Sequence, residues 1–354
     1  MSSGGKTDTG NFFEDFRIGQ AFRHATPRTL GEADAALNIA LYGSRFAVNS
    51  SDEFARALGL PCAPLDDMLV FHVVIAKTVP DISYNAVANL GYAEFRWGAL
   101  VFPGDTLAVR STVLGLRENS NRASGVVWVR SIGVNQRAEM VLDYVRWVMV
   151  NKRDPKAPAA APVVPKTAAA VAPADLVVPA GLSLAGYDDV AAGSPHRWDD
   201  YAPGERIDHV SGYTVEDSDH MLSTRLYQNT ARVHFDAVLG QTTRFGRRLA
   251  YGGHVISLAR ALSFNGLANG FRVAAVNAGS HVGPTFGGDT IYAWSEVLDK
   301  AALPGRGDLG ALRVRTIAAK DHPCADWPGK GADGKYHPAV VLDLDYWLLM
   351  PRRG

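Results

Sequence analysis

The chain has 354 residues, of which 47% are hydrophobic and 20% charged, and its 36 basic and 36 acidic side chains cancel to a formal net charge of zero. That balance removes any electrostatic case for a nucleic-acid or anionic-membrane partner, so an anionic ligand has to be held by local basic groups. The two cysteines, Cys62 and Cys324, have neither metal-ligand spacing nor the density of a disulfide framework, which suits a reducing cytosol. The first ten residues, MSSGGKTDTG, are polar and Gly-rich, unlike a signal peptide, and no apolar run is long enough to span a membrane.

After this lead-in, expected to be disordered, the chain begins to fold at NFFEDFR. Residues 29–41 read as a short helix with Thr29 as N-cap and Glu32 closing a capping box. A loop, LYGSRFAVNS (41–50), follows, and then an apolar stretch, 65–77, that predicts a buried helix. Four stretches rich in Val and Thr, 86–97, 105–117, 124–135 and 140–151, predict strands. Residues 154–180 are Pro/Ala-rich and nearly uncharged, a composition that favours an extended, semi-rigid tether over a packed element. The same order then recurs: a helix at 214–226 with Thr214 as N-cap and Asp217 behind it, a loop YQNTARVHFD (227–236), an apolar helix at 254–267, and strands. Consecutive strands after one central helix predict an α+β fold, with an antiparallel sheet packed on that helix. Without strand–helix alternation or a Gly-rich phosphate loop, a dinucleotide-binding fold is not expected.

The recurrence is a duplication. At a constant offset of 185, His24 aligns with His209, Thr29 with Thr214, Asp34 with Asp219 and Tyr42 with Tyr227. Gly104-Asp105-Thr106 matches Gly288-Asp289-Thr290, and Val141-Leu142-Asp143 matches Val341-Leu342-Asp343, the added length falling in a surface loop, WPGKGADGKY. The division is a first repeat over 11–153, a linker over 154–195 and a second repeat over 196–354. The two loops differ where chemistry would sit: His234 and Asn229 in the second copy stand against Asn49 and Ser44 in the first. Only the second copy keeps a group that titrates near neutral pH, so the first repeat is expected to be non-catalytic.

The second repeat reads Gln228-Asn229-Thr230-Ala231-Arg232-Val233-His234, then Ala250-Tyr251-Gly252-Gly253, then Pro284-Thr285-Phe286-Gly287-Gly288-Asp289-Thr290. This resembles the MaoC-like dehydratases of the hotdog superfamily, whose signature runs roughly G-D-x-N-P-[ILV]-H, [AV]-H-G-M and P-V-x-x-G-D-T. The histidine and its spacing are kept, while the family's acid is Asn229 and its Asn-Pro pair is Ala231-Arg232. Those departures, together with HATPRT, LYGSRFA, KTVPDIS, NLGYA, RWVMV, RFGRR, YGGH and ISLARALSFNGLAN, resemble the mesaconyl-CoA hydratases, also called β-methylmalyl-CoA dehydratases, over residues 11–354. The resemblance implies a double hotdog, each half a long helix wrapped by an antiparallel sheet. It also implies reversible hydration of mesaconyl-C1-CoA to (2R,3S)-β-methylmalyl-CoA in acetyl-CoA or glyoxylate assimilation (the ethylmalonyl-CoA pathway), in a homo-oligomer.

Hydrating an enoyl thioester requires a proton taken from water as it attacks Cβ, negative charge held on the thioester oxygen, and a proton delivered to Cα. His234 is assigned the acid/base work and Asn229 the orientation of the water, since an amide has no useful basicity. By resemblance, the Gly252 N–H polarises the thioester oxygen, with Tyr251 and Gly253 beside it. The same place in the first half is read as Ala63-Pro64-Leu65-Asp66, where proline lacks an N–H and the acid would repel an enolate. Asp236 is the nearest carboxylate that could join a relay, or it is a loop carboxylate. His24, His209, His72 and His254 are expected to be structural. Arg244, Arg247 and Arg248 could grip the coenzyme A phosphates or form a solvated charge run. No metal or other cofactor is expected, coenzyme A being part of the substrate.

Three other readings compete: an (R)-specific enoyl-CoA hydratase for straight chains, a hotdog thioesterase, and a non-catalytic acyl-CoA binding module. A thioesterase would aim a carboxylate at the carbonyl where Asn229 stands, and a binding module would be indifferent to loss of His234. Arg232, where the wider family has proline, is expected to select a dicarboxylic acyl group through a bidentate contact. Arg232→Leu is therefore predicted to raise the KM for mesaconyl-CoA and to favour crotonyl-CoA; unchanged selectivity in a steady-state assay would refute that role.

Overall fold

The computed structural model describes residues 6–353, so residues 1–5 of the expected disordered lead-in and Gly354 lie outside it. The first half carries β1 (Ala21–Arg23), β2 (Arg28–Thr29), β3 (Ala86–Trp97), β4 (Thr106–Glu118), β5 (Ser124–Val134) and β6 (Met140–Asn151). The second carries β7 (Arg206–Asp208), β8 (Tyr213–Thr214), β9 (Arg272–His281), β10 (Thr290–Leu303), β11 (Arg306–Lys320) and β12 (Val340–Pro351). They form one antiparallel sheet in the order β1-β4-β5-β6-β3-β9-β12-β11-β10-β7, with β2 on β4 and β8 on β10. The second half thus repeats the first in reverse about the β3–β9 junction, where Tyr92 pairs with Gly279 and Phe95 with Val276. The α+β double hotdog expected from the sequence is what the chain forms.

Two central helices, Asp67–Thr78 and Gly252–Leu262, lie against the sheet in one shared core. The first is buried from Met68 to Thr78, which is why its sequence has no polar face. The halves meet on a pseudo-twofold axis that the side chains mark. Tyr42 and Tyr227 join hydroxyl to hydroxyl at 2.6 Å, and His72 Nε2 meets Ser257 Oγ at 2.9 Å. Both pairs are 185 residues apart, the offset of the repeat. A residue can touch its own copy only on the axis that relates them.

The helix starts differ from the sequence reading. Thr29 and Thr214 are strand residues whose hydroxyls bond Thr106 at 2.7 Å and Thr290 at 2.8 Å, so they cap nothing. The helices begin later, at Glu32 and Asp217, behind Gly31 and Glu216. Pairing in a ladder, which suits a β-branched residue, outweighed the capping preference. The second central helix begins earlier than expected, at Gly252, and ends at Leu262. Asp66 caps the first central helix through Met68 N at 2.8 Å, in the position Tyr251 holds in the second. The 185 register therefore persists into the helices, and the first-half residue matching Gly252 is Asp67, not Pro64. The Asp67 carboxylate accepts from Val273 N at 2.9 Å.

The Pro/Ala-rich segment is extended, but it does not hang as a tether. Val171, Leu176, Leu182 and Tyr187 are buried in a cluster with Phe54, Leu58 and Phe271. Trp347 Nε1 donates to Val171 O at 3.1 Å, and the Tyr187 hydroxyl donates to Asn269 Oδ1 at 2.9 Å. Prolines keep the backbone out of the ladder, while the few large apolar side chains between them find a core. Pro179 and Leu182 also line the narrow first-half crevice that holds Asn49, Pro64, Asp67 and Arg272. Leu182→Ala is predicted to cost about 2 kcal/mol in urea unfolding. A change below about 0.5 kcal/mol, as for an exposed residue, would mean the segment is held without its side chains.

Candidate active site

The loop carrying His234 is shaped by its own polar groups. Asn229 Oδ1 accepts from Ala231 N at 2.9 Å, an Asx turn that starts the single 3-10 turn Arg232–His234. Leu249 N donates to Val233 O at 3.2 Å, and His234 Nδ1 donates to Leu249 O at 2.9 Å. The bond to a carbonyl makes Nδ1 the protonated nitrogen and leaves Nε2 with a lone pair. His234 is half-buried, and burial pushes its pKa down to about 4 despite the favourable Leu249 carbonyl, with a smaller push from His220. The imidazole is neutral at pH 7 and can accept a proton.

The first repeat makes the same bond with a different residue. Asn49 Nδ2 donates to Pro64 O at 3.1 Å, and Asn49 and Pro64 are the copies of His234 and Leu249. The fold needs a donor at this point in both halves. Only the second half uses a donor that keeps a basic nitrogen on its other side.

Tyr251 is buried, its ring 5.4 Å from the His234 ring and its hydroxyl 3.4 Å from His72 Nδ1. It stands behind His234 and fixes the ring plane. The next two residues open the central helix, and the N–H groups of Gly252 and Gly253 bond no protein acceptor. Glycine is required at both. A Cβ on Gly253 would lie 2.5 Å from the His72 ring, and one on Gly252 would lie 2.5 Å from the His281 ring. Gly253 thus packs against the first half, while Gly252 is only half-buried and presents its N–H beside His281.

His281 was not singled out in the sequence, since no motif surrounds it. It ends β9, its Nε2 is 3.4 Å from the Tyr92 hydroxyl of the first half, and burial and the field of His234 lower its pKa to about 4. Asn229 is 6% exposed and makes no hydrogen bond to His234. Asp236 is a helix cap, accepting from Leu239 N at 3.0 Å, which occupies the carboxylate considered for a relay. His24 and His209 bond Ser111 and Ser295 at 2.7 and 2.8 Å, matching structural roles in the two halves.

The arginines separate. Arg247 and Arg248 line an open hollow of about 490 Å³ with Asp217, Gln241 and Gly246. Arg247 stacks 3.9 Å from the Phe286 ring and Arg248 pairs with Asp217 at 3.1 Å. Arg244 lies exposed over Phe245 and does not line that hollow. Arg232 is exposed at the rim, 5.1 Å over the ring of Tyr84 from the first half.

Known proteins match this chain in sequence and in fold. The family model for mesaconyl-CoA hydratase matches residues 3–330. A β-methylmalyl-CoA dehydratase of Chloroflexus aurantiacus is 62% identical over 99% of both chains, and a mesaconyl-CoA hydratase of Cereibacter sphaeroides is 63% identical over 98% of this chain and all of its own. A crystal structure of a MaoC domain protein dehydratase from Chloroflexus aurantiacus superposes with a TM-score of 0.97 at 62% identity, over 99% of this chain and 100% of that one. A double-hotdog protein of Mycobacterium tuberculosis superposes with a TM-score of 0.77 at 26% identity, over 97% and 99%. A duplicated hotdog with one histidine-bearing site, matched along nearly its whole length, places this chain in the mesaconyl-CoA hydratase family of MaoC-like hydro-lyases.

Proposed function

We propose that the chain reversibly hydrates mesaconyl-C1-CoA to (2R,3S)-β-methylmalyl-CoA. The observation that carries the mechanism is the pair of matched bonds, His234 to Leu249 O and Asn49 to Pro64 O, which leaves one basic nitrogen in the chain's two copies of the site. His234 Nε2 takes a proton from water as its oxygen bonds Cβ. The electron pair of the double bond moves toward the thioester, and the Gly252 N–H, at a helix N-terminus, holds the oxygen that becomes negative. The imidazolium then returns the proton to Cα, so one water is added and His234 is neutral again. Asn229 orients the water through the amide hydrogens that its Asx turn leaves free. Tyr251 and Gly253 hold His234 and the helix start in place. Arg247 and Arg248 bind the phosphates of coenzyme A, and Arg244, outside their hollow, adds positive charge nearby in sequence. The reaction requires no metal or other cofactor. The free thiols of Cys62 and Cys324 support work in a reducing cytosol.

The direct test follows the enoyl-thioester absorbance with mesaconyl-C1-CoA. His234→Ala should lower kcat about 1,000-fold, whereas Asn49→Ala should stay within about threefold of wild type and lose about 1 kcal/mol of stability. Retained hydration in His234→Ala would overturn the one-site mechanism, and free thiol without hydration would make the chain a thioesterase. The pH dependence is a second test. The base must be neutral and its pKa lies near 4, so kcat/KM should be flat from pH 6 to 8 and fall only as the pH drops toward 4. A limb at the ordinary imidazole value of about 6.5 would place the base elsewhere. The same depression, shared by His209, His254 and His281, means that the unfolded chain takes protons that the folded one refuses. Stability should be complete above about pH 6.5 and decline from there toward pH 4, read as a falling Tm.

A further inference from the structure

Arg146 has a place in the fold that the reaction so far described does not use. It is 3% exposed on β6, where the inward row otherwise reads Leu142, Tyr144, Val148 and Val150. Its Nη2 donates to Thr78 Oγ1 at 2.8 Å and to Ser83 Oγ at 3.2 Å, while Nε is buried without a partner. Among the described residues no carboxylate pairs with it. Buried charges are normally paired, because an isolated one is costly to desolvate. Among the described residues the other two buried arginines also make no ion pair, and Arg272 leaves Nε and Nη1 without a partner, but carboxylates lie near both: Arg260 is in the field of Asp66 and Asp67 and Arg272 in that of Asp67. Lys77, one residue before Thr78, is 4% exposed, and among the described residues its hydrogen bond is to Gln228 Oε1 at 2.5 Å, next to Asn229. The first half therefore buries two cations without an ion pair, and one of them, Lys77, reaches the second half's site loop.

The sheet shows where they point. Arg146 pairs in register with Tyr92, and Tyr92 with Gly279. The Tyr92 ring lies over Gly279, and its hydroxyl reaches His281, whose ring lies against Gly252. One inward-facing row thus runs from Arg146 through Tyr92 and His281 to the helix start that holds the thioester oxygen.

We propose that Arg146, carried by the half without the catalytic histidine, receives the free carboxylate of the substrate, with Lys77 adding positive potential beside it. The inference rests on the hydratase reading and names the group that selects its substrate class. In mesaconyl-C1-CoA the carboxylate is attached to Cβ, the carbon that water attacks. Anchoring it aligns that carbon with His234 Nε2. A neutral acyl chain entering the same space would leave Arg146 buried and unpaired, which selects against straight-chain enoyl-CoA as strongly as the contact selects for a dicarboxylic one. Arg232, exposed over Tyr84, would then act at entry, and the selective role expected of it from the sequence passes to Arg146.

The test is a ratio of affinities that needs no turnover. Methylsuccinyl-CoA and 2-methylbutanoyl-CoA, saturated analogues with and without the carboxylate, are titrated calorimetrically. Wild type should prefer methylsuccinyl-CoA about 100-fold, as expected for charge-assisted bonds to a buried guanidinium. Arg146→Met should bring the ratio below about threefold, and Arg146→Lys, which keeps the charge, should restore most of it. Thermal unfolding of both variants shows whether the bonds to Thr78 and Ser83 matter for folding, and a folded Arg146→Lys keeps the test decisive if Arg146→Met is unstable. A preference that survives in Arg146→Met, a wild type with no preference, or a ratio abolished by Arg232→Leu alone overturns the anchor. Hydration of mesaconyl-C1-CoA by wild type is scored separately: its absence overturns the reaction, whereas its presence with an unchanged affinity ratio overturns only Arg146.

Discussion

Burial of the two central helices against each other under one sheet is the constraint on which everything else depends. The first half could not leave its helix on its own sheet edge with the far side wet, because the Asp67–Thr78 helix is buried all round. Its partner helix and the continuous β3–β9 pairing close that surface. The axis is held by polar contacts that exclude charge. Tyr42 bonds Tyr227 and also His254 Nδ1, at 3.2 Å. His72 bonds Ser257 and touches Tyr251, and burial keeps both histidines neutral by lowering their pKa values. Through Tyr251 and the close fit of Gly253 on His72, the first half sets the position of the second half's helix start. Precise placement of an N–H and an imidazole on a rigid element is what electrostatic catalysis requires.

The duplication also shows how one loop geometry can be kept with different chemistry at one position. Asn49 keeps the backbone bond that His234 makes, so the loop stays closed in both halves. Asp67 replaces the glycine at the helix start and turns its carboxylate to Val273 N, bracing β9 where the other half leaves an open N–H. Pro179 and Leu182 of the linker line the crevice beside Asn49 and Asp67. The first half also reaches across to the second, with Tyr84 under Arg232, the Tyr92 hydroxyl on His281 and Lys77 on Gln228.

The repeat, the antiparallel sheet and the four long strands of the first half were all legible in the chain, because period-two patterns and a fixed offset are properties of adjacent residues. The helix starts were legible only to within a few residues, since Thr29 and Thr214 satisfy a capping pattern and a strand pattern equally well. The linker misled for a related reason. Its Pro/Ala composition describes the backbone correctly as extended, but burial depends on Leu176, Leu182 and Tyr187 finding Phe54 and Phe271, which lie far away in sequence. One available signal went unused: Arg146 interrupts an apolar inward row of β6.

What the sequence determined alone was the duplicated fold, the asymmetry between His234 and Asn49, and the glycines that open the second helix. Each is encoded by local residue types, whether by side-chain periodicity, by the presence of an imidazole, or by the absence of a Cβ. Only the tertiary structure decided that His281 lies on Gly252, that Tyr92 reaches across the axis to it, and that Arg146 is buried without an anion. Those facts depend on which strands become neighbours at the β3–β9 junction. Pairing between distant segments is set by the burial of the whole core, and no short stretch of chain carries it.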